Sequence, residues 1–155
     1  MLTSLKSKKG LARSLRTVFL SAFILNALYE NAHAALYVHY QGGAITEAVL
    51  LHATLADAFI ITLLVFPFLS LDRLKRLSWL IVPIGFAIAV GIEWWALGTN
   101  RWDYGPLMPI IPVLGTGLTP TIQLGLLGYV SYWFSQFATK GKKKRGSEEG
   151  AVLPG

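Results

Sequence analysis

The sequence predicts an all-α membrane protein: a bundle of four transmembrane helices with a proline- and glycine-rich interfacial or re-entrant segment before the last helix. Two observations support this prediction. First, 54% of the 155 residues are hydrophobic and only 14% are charged, against roughly 25% charged residues in an ordinary soluble domain. Second, the charges lie in short blocks between apolar runs long enough to cross a bilayer, as juxtamembrane anchors do.

Short connections join the predicted spans into a transmembrane domain at residues 17–137. The Gln41-Gly-Gly-Ala44 turn is long enough only for a helical hairpin. Thr119-Pro120 is typical of a helix start, with an N-cap followed by proline at the first helical position. The basic tail should be disordered. The resulting segments are a lead at 1–16, spans at about 17–40, 45–71, 78–96 and 119–137, and a tail at 138–155.

The segment between Gly98 and Pro120 interrupts the helical pattern. It contains four of the seven prolines and four glycines, a composition that one continuous helix does not tolerate. Residues 107–114 within it are nevertheless largely apolar. We therefore expect this segment to lie against the membrane or dip into it while packed on protein, since irregular backbone survives at that depth only when it is covered.

The distribution of basic residues predicts the orientation. Thirteen of the fourteen Lys and Arg residues fall in the lead, the 72–76 loop and the tail, and only Arg101 lies elsewhere. With four spans these three segments share one side, which the positive-inside rule makes the cytoplasm. The sequence thus predicts a multi-pass protein of the bacterial inner membrane with both termini cytoplasmic. The 140–145 cluster should contact anionic membrane lipids rather than nucleic acid.

An alternative interpretation treats the start of the chain as a secretory signal. The basic lead, the apolar run at 18–28 and the Ala32-His33-Ala34 sequence resemble a signal with an A-x-A cleavage site. Cleavage after Ala34 would leave three spans. The apolar pattern, however, continues past Ala34 through Val38, which favours an uncleaved helix.

Span one carries a polar stripe. Asn26, Glu30, His33 and Tyr37 are spaced i, i+4, i+7 and i+11, so they lie on one face of a helix. A charged group costs roughly 2.5–3.5 kcal/mol at the centre of a span on insertion scales. We therefore expect this stripe to face the bundle interior.

The other spans add polar groups at similar depth. His52 and Asp57 lie on span two, Glu93 on span three and Gln123 at the start of span four. We predict that these groups converge in a polar pocket that opens outward. Glu30 and Asp57 would handle protons with His33 and His52 as partners, and Glu93, Asp103 and Gln123 would form the rim.

These groups predict binding, and acid or base modification, of a lipid-like or isoprenoid substrate. Carboxyls in an apolar site can protonate a double bond or a leaving group. The predicted catalytic residues are Glu30, Asp57 and Glu93. The predicted substrate-binding residues are Asn26, His33, Tyr37, His52, Trp102, Asp103, Tyr104 and Gln123.

Two other interpretations stay open. Polar side chains between helices can simply hold a bundle together, which would make the protein a membrane assembly subunit, or a small proton or metal transporter acting as a homo-oligomer. Glu30-Asn-Ala-His33 is also one Glu-x-x-His pair, of which a di-iron centre needs two. A single metal bound by Glu30, His33 and either His52 or Glu93 remains an alternative of unknown identity. No cofactor motif is present in the sequence.

Part of the sequence resembles a known membrane family. Glu93, Gly98, Trp102 and Tyr104, followed by a Pro- and Gly-rich stretch ending at Pro120 and Gln123, are similar in order to the integral-membrane lycopene cyclase domains of carotenoid synthesis. Gln123 stands where that family has glutamate. Tyr29-Glu30, His33, Leu36-Tyr37 and Met108-Pro109 also resemble small four-span bacterial membrane proteins of unassigned function. These resemblances imply a membrane fold and location.

Overall fold

The computed structural model describes residues 8–149, with side chains for residues 8–138. The chain is mostly helical, as predicted. Two short pairs of strands, which the all-α prediction did not include, lie at one end of the helices. The helices are α1 (Lys8–His33), α2 (Glu47–Ser70), α3 (Asp72–Lys75), α4 (Ile81–Gly98) and α5 (Leu118–Glu149), and the strands are β1 (Tyr37–Tyr40), β2 (Trp102–Tyr104), β3 (Ile110–Ile111) and β4 (Thr116–Gly117).

Helix α1 begins inside the predicted basic lead and ends at His33. Its buried side is small or polar and includes Ala22, Asn26 and Glu30, while Leu20 and Ile24 are exposed on the opposite side. A soluble helix shows the reverse distribution. This pattern is the one expected of a helix whose outer face meets lipid and whose inner face packs on other helices.

Helix α2 shows the same arrangement. Thr46 caps its first turn, where its side-chain oxygen accepts a hydrogen bond from the Val49 N–H at 3.4 Å. Thr54 and Ala58 are buried, and large apolar side chains such as Phe59 and Leu63 are exposed. The helix ends at Ser70, and the short helix α3 then carries the Asp72–Lys75 ion pair.

Helix α5 lies at the centre of the bundle and packs against α4, α1 and α2. The seam with α4 is built on two glycines, Gly85 and Gly125. A Cβ atom added at Gly85 would lie 2.5 Å from the Gly125 Cα atom. The two helix backbones can therefore approach this closely only because both side chains are absent.

The strands form a cap over one end of the bundle. Strand β1 pairs antiparallel with β2, and β3 pairs antiparallel with β4. Helical span one was predicted to continue to Tyr40, but residues 37–40 are extended. Aromatic and β-branched residues favour a strand in this short segment, and β2, after the end of α4, supplies its hydrogen-bonding partner.

Three stretches are long and apolar enough to cross a membrane: Lys8–Leu36, Glu47–Ser70 and Ser78–Gly98. Within residues 8–149, α5 is a fourth helix that does not meet that standard, since its Thr, Gln, Ser and Gly residues lower its hydropathy. The structure thus gives three candidate spans and one further helix. The four-span topology remains a proposal.

Helix α5 also continues where the sequence analysis expects disorder. Residues 138–149 belong to this helix, whereas the sequence analysis expects a disordered tail from residue 138. Residues 150–155 and residues 1–7 of the predicted lead lie outside the described residues.

Candidate functional site

The Gln123 side chain connects three helices. Its Nε2 atom lies 2.9 Å from Asn26 Oδ1, 2.6 Å from Glu30 Oε1 and 2.8 Å from Asp57 Oδ2. Only 4% of Gln123 is exposed. A single amide from α5 thus joins two residues of α1 to one of α2.

This arrangement has more acceptors than Gln123 can serve. An amide nitrogen carries two hydrogens, whereas three oxygens lie within hydrogen-bonding distance. Asn26 cannot supply a proton at its oxygen, and its own Nδ2 donates to the Ala22 carbonyl at 2.7 Å. Gln123 can therefore give an unshared hydrogen to only two of the three oxygens.

Glu30 and Asp57 are the two carboxyls among the three groups that Gln123 contacts. Glu30 Oε1 and Asp57 Oδ2 lie 2.6 and 2.8 Å from the same Gln123 nitrogen, so the two carboxyls are neighbours, and neighbouring carboxyls can hydrogen-bond only when a proton lies between them. Two negative charges at this separation would repel strongly in a bundle interior. The geometry fits a carboxyl pair that shares one proton.

His33 lies next to this carboxyl pair. Its Nε2 atom is 3.6 Å from Glu30 Oε2. The Tyr29 and Tyr37 rings flank the imidazole, with ring centroids 4.9 and 5.6 Å away. The second ring nitrogen, Nδ1, is buried and has no hydrogen-bond partner among the described residues.

A second polar cluster surrounds Glu93 on α4. Glu93 Oε2 accepts hydrogen bonds from the Tyr104 hydroxyl and, at 3.3 Å, from Trp102 Nε1. The Tyr104 hydroxyl in turn accepts from the Gly117 N–H at 2.8 Å. Burial raises the pKa of Tyr104, and its bond to Glu93 raises the pKa further. The hydroxyl therefore keeps its proton and remains a donor.

Tyr37 separates the two clusters. Its ring centroid is 5.7 Å from that of Tyr104 and 6.2 Å from that of Trp102, while its other side contacts His33. Burial raises the pKa of Tyr37, with the charge of Glu93 as the next contribution. Asp57 also interacts electrostatically with Glu30 and Glu93. The carboxyls of Glu30, Asp57 and Glu93, which come from three helices, thus influence one another electrostatically.

The structure brings most of the predicted site residues together. Those in or beside the two clusters are Asn26, Glu30, His33, Tyr37, Asp57, Glu93, Trp102, Tyr104 and Gln123. Gln123 and Glu93 were predicted at a rim and are instead buried, with Gln123 at the centre. Asp57 keeps part of its surface exposed.

Two predicted site residues lie elsewhere. His52 is exposed, and its Nδ1 atom lies 2.7 Å from the Ala48 carbonyl oxygen, so its predicted partnership with the carboxyls is wrong. It precedes Asp57 by five residues, which turns it about 140° around the helix. Asp103 is exposed and pairs with His39 at 3.2 Å, away from the buried carboxyls.

The metal alternative has no assembled ligand set in the described part of the chain. Across residues 8–149, no three His, Asp or Glu side chains are arranged to hold a metal ion. The set of Glu30, His33 and His52 is not formed because His52 lies on another face of α2.

Tyr29 is a site residue that the sequence analysis missed. Its hydroxyl donates to the Thr119 carbonyl oxygen at 2.9 Å and so ties α1 to the start of α5. The signal was present in the sequence, because Tyr29, His33 and Tyr37 are spaced by four residues and stack their rings along α1. Such a stack forms an aromatic wall beside the carboxyl pair.

No family model, curated protein or solved structure matches the chain. The resemblances to lycopene cyclase domains and to small four-span membrane proteins therefore rest on the quoted residues alone. The geometry of the two clusters is the main basis for inferring a function.

Proposed function

We propose that this chain is an integral membrane protein with four spans and a buried acid and base site that acts on a lipid-soluble, isoprenoid-like substrate. Glu30 and Asp57 hold the exchangeable proton. Gln123 and Asn26 fix the two carboxyls, and the aromatic side chains of Tyr29, Tyr37 and Trp102 provide apolar contacts for the substrate. The observation that carries this proposal is the single Gln123 nitrogen within 2.8 Å of oxygens from both Glu30 and Asp57.

The outer surface of the helices supports the membrane location. Large apolar side chains are exposed along α1, α2 and α5 while polar ones are buried. In water such a surface would expose far more contiguous apolar area than soluble monomers do. Two exposed basic residues, Arg73 and Arg76, lie in the connection between α2 and α4, at the end opposite the cap. We place this basic end in the cytoplasm and the cap outside.

Single cysteines test this topology cleanly because the natural chain has no cysteine. Ala44 lies next to the cap and Arg76 at the basic end, and both are exposed. A membrane-impermeant maleimide applied to intact cells with a permeable outer envelope should label A44C and leave R76C unlabelled. The measurement is the mass shift of each purified variant.

Permeabilised membranes provide the control, since both variants should then be labelled to the same extent. Labelling of R76C in intact cells, or protection of A44C, would reverse the proposed orientation. Recovery of the protein in the soluble fraction would reject the membrane location altogether.

The chemistry follows from the shared proton. A carboxyl pair with one proton can give it to a double bond or a leaving group and recover a proton from the product. When the negative charge moves from one carboxyl to the other, Gln123 can shift its hydrogen bonds to the carboxyl that carries the charge. The substrate would have to be apolar, because the surroundings of the pair include apolar helix surface and aromatic rings.

Conservative variants of the carboxyls test this chemistry. Glu30→Gln and Asp57→Asn preserve shape but remove a titrating group. Infrared spectroscopy should find a protonated carboxyl band in the wild type that shifts in heavy water and is lost in either variant. Mass spectrometry of protein purified in mild detergent should find an apolar molecule bound to the wild type and its loss from either variant.

Glu47→Gln and Asp103→Asn are matched controls, because they make the same substitutions at exposed carboxyls. Both should retain the band and the bound molecule. A band that survives in E30Q and D57N would place the proton on another group and defeat the proposal.

A second candidate function has its own supporting observation. Gln123 joins α1, α2 and α5 at a single point, which is how a buried polar group can specify the packing of helices. In that case the protein would be a non-catalytic assembly subunit or a small proton transporter, working as a homo-oligomer or with a membrane partner. E30Q and D57N would then abolish assembly with that partner, instead of removing a bound molecule from an intact protein.

A further inference from the structure

We propose that His33 is a proton relay between the outer cap and the Glu30–Asp57 pair. This inference rests on the proposed function, because a proton that is spent at the carboxyl pair must be replaced. It assigns His33 a part in resupplying that proton, beyond the partnership with the carboxyls and the contact with substrate that were predicted from sequence.

The two nitrogens of the imidazole have different surroundings. Nε2 faces Glu30 Oε2 at 3.6 Å, whereas Nδ1 is buried without a hydrogen-bond partner among the described side chains and backbone. A histidine that serves only structure normally has its buried nitrogens satisfied. In this arrangement Nδ1 can take up a proton while Nε2, which faces the Glu30 carboxyl, gives one up.

Titratable groups lead from the surface to His33 along one strand pair. His39 and Asp103 are paired towards one end of the β1–β2 ladder, where Asp103 is exposed, and Tyr37 and Tyr104 face each other at its other, half-buried end. Tyr37 contacts the His33 ring at 5.6 Å. The groups in or next to this path are Tyr29, Glu30, Tyr37 and His39 from the first part of the chain, Asp57 from α2, Glu93 from α4, and Asp103 and Tyr104 from β2.

The transfer is balanced without any other reactant. A proton arriving from the cap side forms an N–H bond at Nδ1 and gives an imidazolium. The Nε2–H bond then breaks as an O–H bond forms at Glu30 Oε2, which leaves a neutral imidazole with its proton on Nδ1. The starting tautomer returns when a water takes the Nδ1 proton and delivers one of its own to Nε2. The 3.6 Å gap exceeds a hydrogen bond, so His33 must approach Glu30 by a fraction of an ångström or use one water.

A pH jump on His33→Gln tests the relay. Glutamine keeps a polar side chain but cannot carry a proton near neutral pH. With the infrared carboxyl band of the Glu30–Asp57 pair as the probe, H33Q should reach the same final amplitude as the wild type but about 10²-fold more slowly, the usual contribution of a positioned proton-transfer group. Added imidazole should restore part of the rate.

His52→Gln is the matched control, because it makes the same substitution at an exposed histidine, and it should exchange at the wild-type rate. Equal rates for H33Q and the wild type would overturn the relay alone. If the wild type shows no exchangeable carboxyl band that is lost in E30Q and D57N, the proposed function is overturned as well. If H33Q does not fold, His33→Asn is measured, and failure of both to fold would make His33 a structural residue and overturn the relay.

Discussion

Replacing Gln123 with leucine should destabilise the folded bundle by roughly 3–5 kcal/mol, the usual cost of removing one partner from a buried charged network. Leucine fills a similar volume but donates no hydrogen bond. Asn26 Oδ1 and the Glu30–Asp57 pair would lose their common donor. Because Gln123 and Asn26 are buried, water does not replace the lost hydrogen bonds at low cost.

The free energy of unfolding in detergent micelles measures this effect. Gln136→Leu is the matched control on the same helix, because its side chain is only partly buried and donates to Ser135 alone. It should change stability by about 0.5 kcal/mol or less. A Q123L protein as stable as Q136L would mean that the Gln123 contacts do not hold the helices together.

A second substitution separates the hydrogen-bond network from simple packing. Asp57→Asn in the Q123L background provides a new amide next to Glu30. The double variant should recover part of the lost stability, giving a coupling energy of about 0.5–3 kcal/mol in a double-mutant cycle. Additive losses would indicate that Asp57 and Gln123 act independently.

The main helices and the inner face of α1 were predictable from sequence because both depend on local periodicity. Apolar length indicates a membrane-spanning helix, and the i, i+4, i+7 spacing of Asn26, Glu30 and His33 places them on one face whatever their partners. The structure buries all three. The same periodicity, applied to His52 and Asp57, would have placed them on different faces of α2.

The cap was not predictable in this way because its pairing is non-local. Tyr37 pairs with Tyr104, and nothing near either residue in the sequence specifies that register. The role of Gln123 was hidden for a similar reason. An amide near the start of an apolar helix indicates a polar environment, but its three partners come from two helices that are distant in sequence, and only the packing of α5 between them brings these groups together.

Enlarging Gly125 should separate α5 from α4. A Cβ atom at this position would lie 2.5 Å from the Val82 carbonyl oxygen and 2.6 Å from the Phe86 ring. Gly125→Ala should therefore cost about 1–3 kcal/mol through overpacking, and Gly125→Leu should prevent the seam from forming. The measurement is again the free energy of unfolding in detergent.

Gly91→Ala is the matched control, because a Cβ atom there meets nothing within 4 Å. This substitution should be neutral or slightly stabilising, since alanine favours a helix by about 1 kcal/mol over glycine. The seam also links the two polar clusters: α4 carries Glu93, and α5 carries Gln123 two residues before Gly125. If the clusters form one site, G125A should also change the infrared carboxyl band while G91A leaves it intact. A band unaltered in a destabilised G125A protein would show that the Glu30–Asp57 pair does not depend on the position of α4.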